Sequence, residues 1–411
     1  MRRIAWGLLL LFAFAVPWEY SLDLGEPLGN IARVVGLVLL LAAVPAVLQA
    51  GRMRTPGAMQ WLVLAFYLWF CCSYFWTTEP LATLEKMRGY FQEMMVVWLV
   101  WEFAESPRDL RALIQAFVAG SWVLALLTLA NFRSVEAIAA GQIRFVAEGQ
   151  DPNDVARFLD LGFPLAALLF GSLPAVHRGP GRLLALGYMP LGLVAVLLTA
   201  SRGGFLAAVI ALGGCGLLLL KSHPKGALAG AMAMPVAAAG LWFAVPHETF
   251  ERLATIPSQF ESGDLNQRLN IWDAGWNAFV RSPLVGSGAG SFTGAAETNF
   301  RDTAHNSELS VLVGGGLIAL FLAAAIVALA ARAALKTRGP LKLALVTVLL
   351  VWAVAAQVDT VEENRATWVL LGLMAVAGRL AVEEPAGMEE CFPGASGTDG
   401  SFQRIAALEG G

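Results

Sequence analysis

The chain has 411 residues, 57% hydrophobic and 14% charged, with a mean hydropathy of +0.64. Soluble domains carry about 25% charged residues, so a surface facing only water is excluded. The net charge of −3 argues against a nucleic-acid partner, and Cys71, Cys72, Cys215 and Cys391 show neither metal-ligand nor paired spacing.

In chain order, apolar windows long enough to cross a hydrocarbon core fall at roughly 4–20, 31–49, 58–76, 84–104, 110–130, 153–173, 182–200, 202–220, 226–245, 304–331, 341–357 and 365–382. The predicted fold class is therefore an all-α integral membrane protein with about twelve transmembrane helices. Basic residues occupy one set of alternate connections: Arg2 and Arg3, Arg52 and Arg54, Arg108 and Arg111, Arg178 and Arg182, Lys221 and Lys225, and Arg332 to Lys342. Acidic residues mark the other set, with Glu19, Asp23, Glu26, Glu79, Asp359, Glu362 and Glu363. Lys and Arg stay on the cytoplasmic side, which predicts a multi-pass protein of the bacterial inner membrane with both termini inside. Met1-Arg2-Arg3, an apolar run and Ala13-Phe14-Ala15 also have the layout of a signal peptide, whose cleavage would leave eleven spans.

Polar residues then stand out because charge near a bilayer is costly unless paired or facing a watery cavity. On the helix near 84–104, Glu85, Arg88 and Gln92 share one face at i, i+3 and i+7, which fits either a site or a structural Glu–Arg pair. Asp151-Pro152-Asn153-Asp154 opens a helix in which Asn153, Arg157 and Asp160 share a face; Arg157 and Asp160 can also neutralise each other. Thr199-Ala200-Ser201-Arg202-Gly203-Gly204 is a tight outer connection, with Arg202 in the first turn of the next span. Exposed N–H groups and the helix dipole favour an anion there, and a guanidinium grips phosphate through two parallel bonds; the plainer alternative is an arginine reaching to lipid headgroups.

One long connection, 246–303, lies on the outer side. Leu269, Ile271, Trp272, Trp276 and Phe279 predict a short amphipathic helix at the membrane surface, followed by the turn-rich Ser282 to Gly290. Loops this long in a compact protein are usually functional. Ala304-His305-Asn306-Ser307-Glu308 opens the next span, and His305 there is either a base for a hydroxyl or a helix-capping side chain. The Gly-, Glu- and Ser-rich segment 383–411 is predicted to be a disordered cytoplasmic tail.

Taken together, Thr199 to Gly204, then Arg268-Leu269-Asn270-Ile271-Trp272 running into Ser282 to Gly288, then His305-Asn306-Ser307-Glu308-Leu309 leading through Gly316, resemble the O-antigen ligase and polysaccharide polymerase superfamily of membrane glycosyltransferases. Two positions depart from the usual pattern: Gly314-Gly315-Gly316 replaces an acidic residue and Leu before the glycine, and Glu308 stands where an aromatic is common. The resemblance implies a GT-C-like fold with one large periplasmic loop. It implies metal-independent, inverting transfer of a glycan from an undecaprenyl diphosphate carrier to an acceptor hydroxyl, as in ligation of O-antigen to lipid A-core, with no cofactor. Residues Arg202 and Arg268 would hold the donor diphosphate and His305 would be the catalytic base. To these the reading adds Arg88 and Arg157 as further diphosphate ligands, with Asn153, Ser201, Asn306 and Glu308 in support. The partners implied are the lipid-linked glycan donor, lipid A-core or a second lipid-linked glycan as acceptor, and membrane lipids. The predicted regions are N-terminal helices over 1–198, a signature region over 199–331, C-terminal helices over 332–382 and the tail. A polymerase that extends the glycan on its own carrier, or a protein glycosyltransferase, would use the same donor. Twelve spans also suit a transporter, but the polar residues here gather at outer helix ends rather than the midplane.

Overall fold

A computed structural model describes residues 1–26, 28–134, 141–171, 180–261, 263, 265, 267–298 and 303–393. The described residues form helices and turns, with only an isolated bridge between Asp23 and Asn30, so the chain is all-α. The first five helices are α1 (Arg2–Ala15), α2 (Ile31–Ala50), α3 (Ala58–Cys72), α4 (Pro80–Phe103) and α5 (Pro107–Phe132). Four more follow: α6 (Pro152–Gly171), α7 (Pro180–Leu198), α8 (Arg202–Ser222) and α9 (Pro224–Ala244). The long connection holds α10 (His247–Ala254), α11 (Ile256–Glu261), α12 (Arg268–Arg281) and α13 (Phe292–Ala295). The chain then enters α14 (Ser307–Lys336), α15 (Gly339–Ala356), α16 (Arg365–Glu383) and α17 (Pro385–Cys391).

Eight stretches among the described residues are long and apolar enough to cross a membrane, built on α1, α2, α3, α5, α8, α14, α15 and α16. Helices also form at the other four expected spans. Of these, α4 carries Glu85, Lys86, Arg88, Glu93 and Glu102, and α6 carries Asp154, Arg157 and Asp160, which lower their apolarity; the described apolar part of α7 is Leu184–Leu198. The centre of the bundle belongs to α6 and α16, whose buried residues run without a break from Val155 to Leu169 and from Ala366 to Gly378. A helix buried on every face needs partners all round: α6 packs on α5, α7, α8 and α15, and α16 packs on α4 and α14. Small residues let these helices close up; a Cβ on Gly214 would lie 2.3 Å from Thr347 Oγ1.

The turn-rich segment after α12 has a structural duty that its composition does not reveal. Helix α14 breaks at Gly316, with φ 69° and ψ −166°. Within hydrocarbon, freed backbone groups need partners inside the protein. Ser287 N–H donates to Val313 O at 2.8 Å, Gly288 N–H to Gly314 O at 2.9 Å and Leu317 N–H to Pro283 O at 2.9 Å. Trp69 Nε1 completes the set by donating to Gly315 O at 2.8 Å. Gly314 and Gly315, where the chain departs from the family pattern, and Gly316 after them are therefore where the loop docks.

Helix α12 forms as expected, but its buried face is Ile271, Gly275, Ala278 and Phe279, packed on Phe292, Ala304, Leu309 and Val313; Leu269 and Trp276 stay exposed. The tail needs a correction. Residues 394–411 lie outside the described residues, whereas Pro385–Cys391 is helical and docked. Met388 and Phe392 stand one turn apart and are buried, and Arg111 Nη1 donates to Cys391 O at 2.8 Å. Two apolar residues on one face, after a proline at the first helical position, suffice to anchor it.

Candidate active site

All three signature segments enter their helices through a non-glycine residue in the left-handed region: Ala200 (φ 48°) before α8, Gln267 (φ 65°) before α12 and His305 (φ 46°) before α14. That conformation costs roughly 1–2 kcal/mol for an L-residue and persists only where the surroundings impose it. Ser201 caps α8 by accepting from Gly204 N–H at 3.1 Å, and Asn306 caps α14 by accepting from Leu309 N–H at 2.8 Å. The turns thus aim Arg202, Arg268 and His305 from three helix starts at the same end of the bundle.

Around the first turn, arginines crowd together. Arg252 Nε donates to Ala200 O at 3.0 Å, and Arg202 Nε approaches Arg252 O at 3.4 Å. Arg144 Nε donates to Thr199 O at 3.0 Å and its Nη2 reaches Asn153 Oδ1 at 3.3 Å; the same oxygen accepts from Ser201 Oγ at 2.7 Å. Burial, then repulsion from Arg252, Arg268 and Arg202, pulls Arg144 down to about 10, against the attraction of Asp151. Burial and then Arg202 lower Arg252, and burial lowers Arg268 despite Asp359 and Asp151. Arg144 thus feels three other guanidinium groups and Arg252 feels one, an arrangement that favours an anion with several oxygens.

A strut joins this cluster to the histidine segment. Arg157, 3% exposed, donates from Nη1 to Asp359 Oδ2 at 2.7 Å and also pairs with Asp154. The backbone oxygen of Asp359 accepts from Ser307 Oγ at 3.0 Å, and Ser307 Oγ accepts from Val361 N–H at 2.9 Å. Asn306 Nδ2 reaches Gln357 O at 3.5 Å, while Gln357 Nε2 donates to Glu308 Oε1 at 2.8 Å. From α12, Trp272 Nε1 donates to Ala304 O at 3.0 Å. His305, half-buried, is thereby fixed between α12 and the turn that carries Asp359.

Of the residues singled out in the sequence, the structure brings Arg202, Arg268, Asn153 and Ser201 into one region, with His305, Asn306 and Glu308 on the adjoining helix start. The alternative Arg157–Asp160 pairing does not occur. Helical side chains lean toward the N-terminus, so Arg157 reaches Asp154 one turn back, and Asp160 is left buried with neither carboxylate oxygen hydrogen-bonded. Arg88 lies apart, exposed on α4, and forms no ion pair with Glu85 among the described residues; their neighbour Gln92 accepts from Arg365 Nη2 at 2.7 Å instead. Arg144, Arg252 and Asp359 were not singled out. Their only sequence signal was position, as charged residues in outer connections.

Beside Ser307 and Glu308, an apolar cavity of about 400 Å³ runs along α14 past Leu320 and Val327, walled by Trp352 and Trp368. Buried Glu362 also lines it, pushed up to about 8 by burial and then by Glu363, with Ser310 and Ser307 pulling the other way. Helices of this kind, long and apolar over many stretches, define a multi-pass all-α membrane protein. Residues 187–324, which hold the three signature segments, match the family model described as O-antigen ligase, and in that region the chain is similar to the family. A comparison with curated proteins gave no match.

Proposed function

We propose that the protein is a metal-independent inverting glycosyltransferase that moves a glycan from undecaprenyl diphosphate to the lipid A-core, on the periplasmic face of the inner membrane. The match over residues 187–324 supports ligase- or polymerase-type activity in general. The observation that carries the finer reading is the packing of Arg144, Arg202, Arg252 and Arg268 around one another, beside the helix start that bears His305.

The donor's diphosphate gains charge as its bond to the anomeric carbon breaks, and preorganised guanidinium groups stabilise that charge without reorganising. The acceptor oxygen attacks the anomeric carbon from the opposite side and His305 takes its proton, while the bonding pair leaves with the diphosphate. Arg157 serves in this reading as a positioning residue, since Asp154 and Asp359 already neutralise it. Glu308, held by Gln357, would orient the acceptor, and the apolar cavity suits a hydrocarbon chain.

The test is deletion of the gene, with lipid-A-linked and secreted polysaccharide analysed separately, and complementation by His305→Ala. Loss of the lipid-A-linked form alone supports ligation; loss of long chains everywhere makes the protein a polymerase. Wild-type transfer by a folded His305→Ala protein would remove the catalytic assignment.

A further inference from the structure

At the end of the bundle far from His305, a cleft of about 460 Å³ opens between α3, α4, α14 and α16. Arg332, Lys336 and Arg379 line it, against one lining acid, Glu383. Cations at helix ends on the expected cytoplasmic side need no special explanation, and Arg332 and Lys336 are exposed in the ordinary way. Arg379 is different, because its side chain is 6% exposed.

The guanidinium of Arg379 lies 4.8 Å from the centre of the Trp101 ring, and Nη2 donates to Ala104 O at 2.5 Å. Its Nε has no hydrogen-bond partner, and Nη1 meets only Glu383 at 3.8 Å, beyond hydrogen-bond reach. On the same cleft, fully buried Gln60 accepts from Gly57 N–H at 3.0 Å through its oxygen and leaves Nε2 without a partner. Among neighbouring charges Arg54 repels Arg379, while Glu383, Glu105 and Glu384 attract it without hydrogen-bonding to it. Buried donors are nearly always satisfied, and each orphan costs about 1–3 kcal/mol, more when charged. Two such donors on one open cleft, with two exposed cations at its rim, call for an acceptor with several oxygens.

We propose that this cleft binds a phosphate group, seated on Arg379 and Gln60 and closed over by Arg332 and Lys336. The apolar lining from Met59, Leu329 and Val382 extends the site into the membrane, which fits the headgroup of an anionic phospholipid; free phosphate shares the same chemistry. The site stands independently of the transfer reaction proposed above.

The test is native mass spectrometry of the purified full-length protein with phosphatidylglycerol or phosphatidylcholine, and thermal unfolding with inorganic phosphate. Arg332→Gln/Lys336→Gln alters exposed side chains only and keeps the fold; Arg379→Gln removes the seat. Wild-type protein should retain phosphatidylglycerol over phosphatidylcholine, with about tenfold weaker binding in each folded variant. Stabilisation by inorganic phosphate that the double variant loses, without preference between the lipids, identifies a soluble anion as the occupant. Equal retention of both lipids together with no phosphate effect, or binding unchanged in the double variant, overturns the proposal.

Discussion

Asp359 holds two helices at once: its carboxylate accepts from Arg157 of α6 at 2.7 Å, and its backbone oxygen accepts from Ser307 of α14 at 3.0 Å. Through this residue, the arginine-bearing side of the site is registered against the histidine-bearing side. Removing Asp359 leaves a buried guanidinium short of a partner, at about 3–5 kcal/mol. Thermal unfolding in detergent should therefore show a clearly lower Tm for Asp359→Ala. The apolar pair Arg157→Met/Asp359→Leu, combined with Asp154→Asn because Arg157 also neutralises that acid, should recover most of that stability while transfer stays impaired, because the register is lost but no charge is stranded. Full transfer by the apolar pair would show that the strut has no positioning role.

Arg144 and Arg252 should behave as donor ligands. A charge-assisted hydrogen bond contributes about 1.5–3 kcal/mol, so Arg144→Gln and Arg252→Gln should each weaken donor use by about tenfold or more, read as a raised KM for the lipid-linked donor. Arg202→Lys should fail to restore activity, since an ammonium lacks the two-pronged geometry. Unchanged donor kinetics in Arg144→Gln and Arg252→Gln would confine the diphosphate site to Arg202 and Arg268.

Glu362 gives a pH signature. Its folded-state value, about 8, lies above the ordinary carboxylate value of roughly 4.3. The folded protein therefore holds its proton more tightly than the unfolded chain does. The corresponding stability is complete below roughly pH 4.3 and drains away as pH rises toward 8. Glu362→Gln, which stays neutral throughout, should flatten the pH dependence of Tm across that window. A profile identical to wild type would place the titration elsewhere.

Gly316 should tolerate no side chain. A Cβ there would sit 2.3 Å from Leu284 O, and φ 69° already disfavours an L-residue. Gly316→Ala should lower stability by more than about 1 kcal/mol and reduce folded yield. Gly213→Ala is the contrast, since nothing lies within 4 Å of its Cβ position in the middle of α8; it should be neutral or stabilising. Equal effects at both positions would mean that the loop does not brace the break.

How legible this was varied with the range of the interaction. The all-α membrane class, the helix that begins at Arg202 and the amphipathic character of α12 follow from local composition and spacing, whereas the neighbours that α12 buries its face against do not. That Arg157 pairs with Asp154 and Asp359 rather than Asp160 was not legible, because spacing leaves either neighbouring acid open and Asp359 lies far along the chain. The left-handed turns at Ala200, Gln267 and His305 gave no local sign, as none is glycine.

What the sequence alone determined is what hydrocarbon forces each segment to settle by itself. A spanning helix must satisfy its own backbone, so roughly twenty apolar residues declare it wherever it packs. Which charges meet was decided only in three dimensions. Arg157 and Asp359 are 202 positions apart, and Arg144 gains its place beside Arg252 through turns on two different connections. Such pairings are made by helix packing, which brings distant helix ends to one place and leaves no periodic trace along the chain.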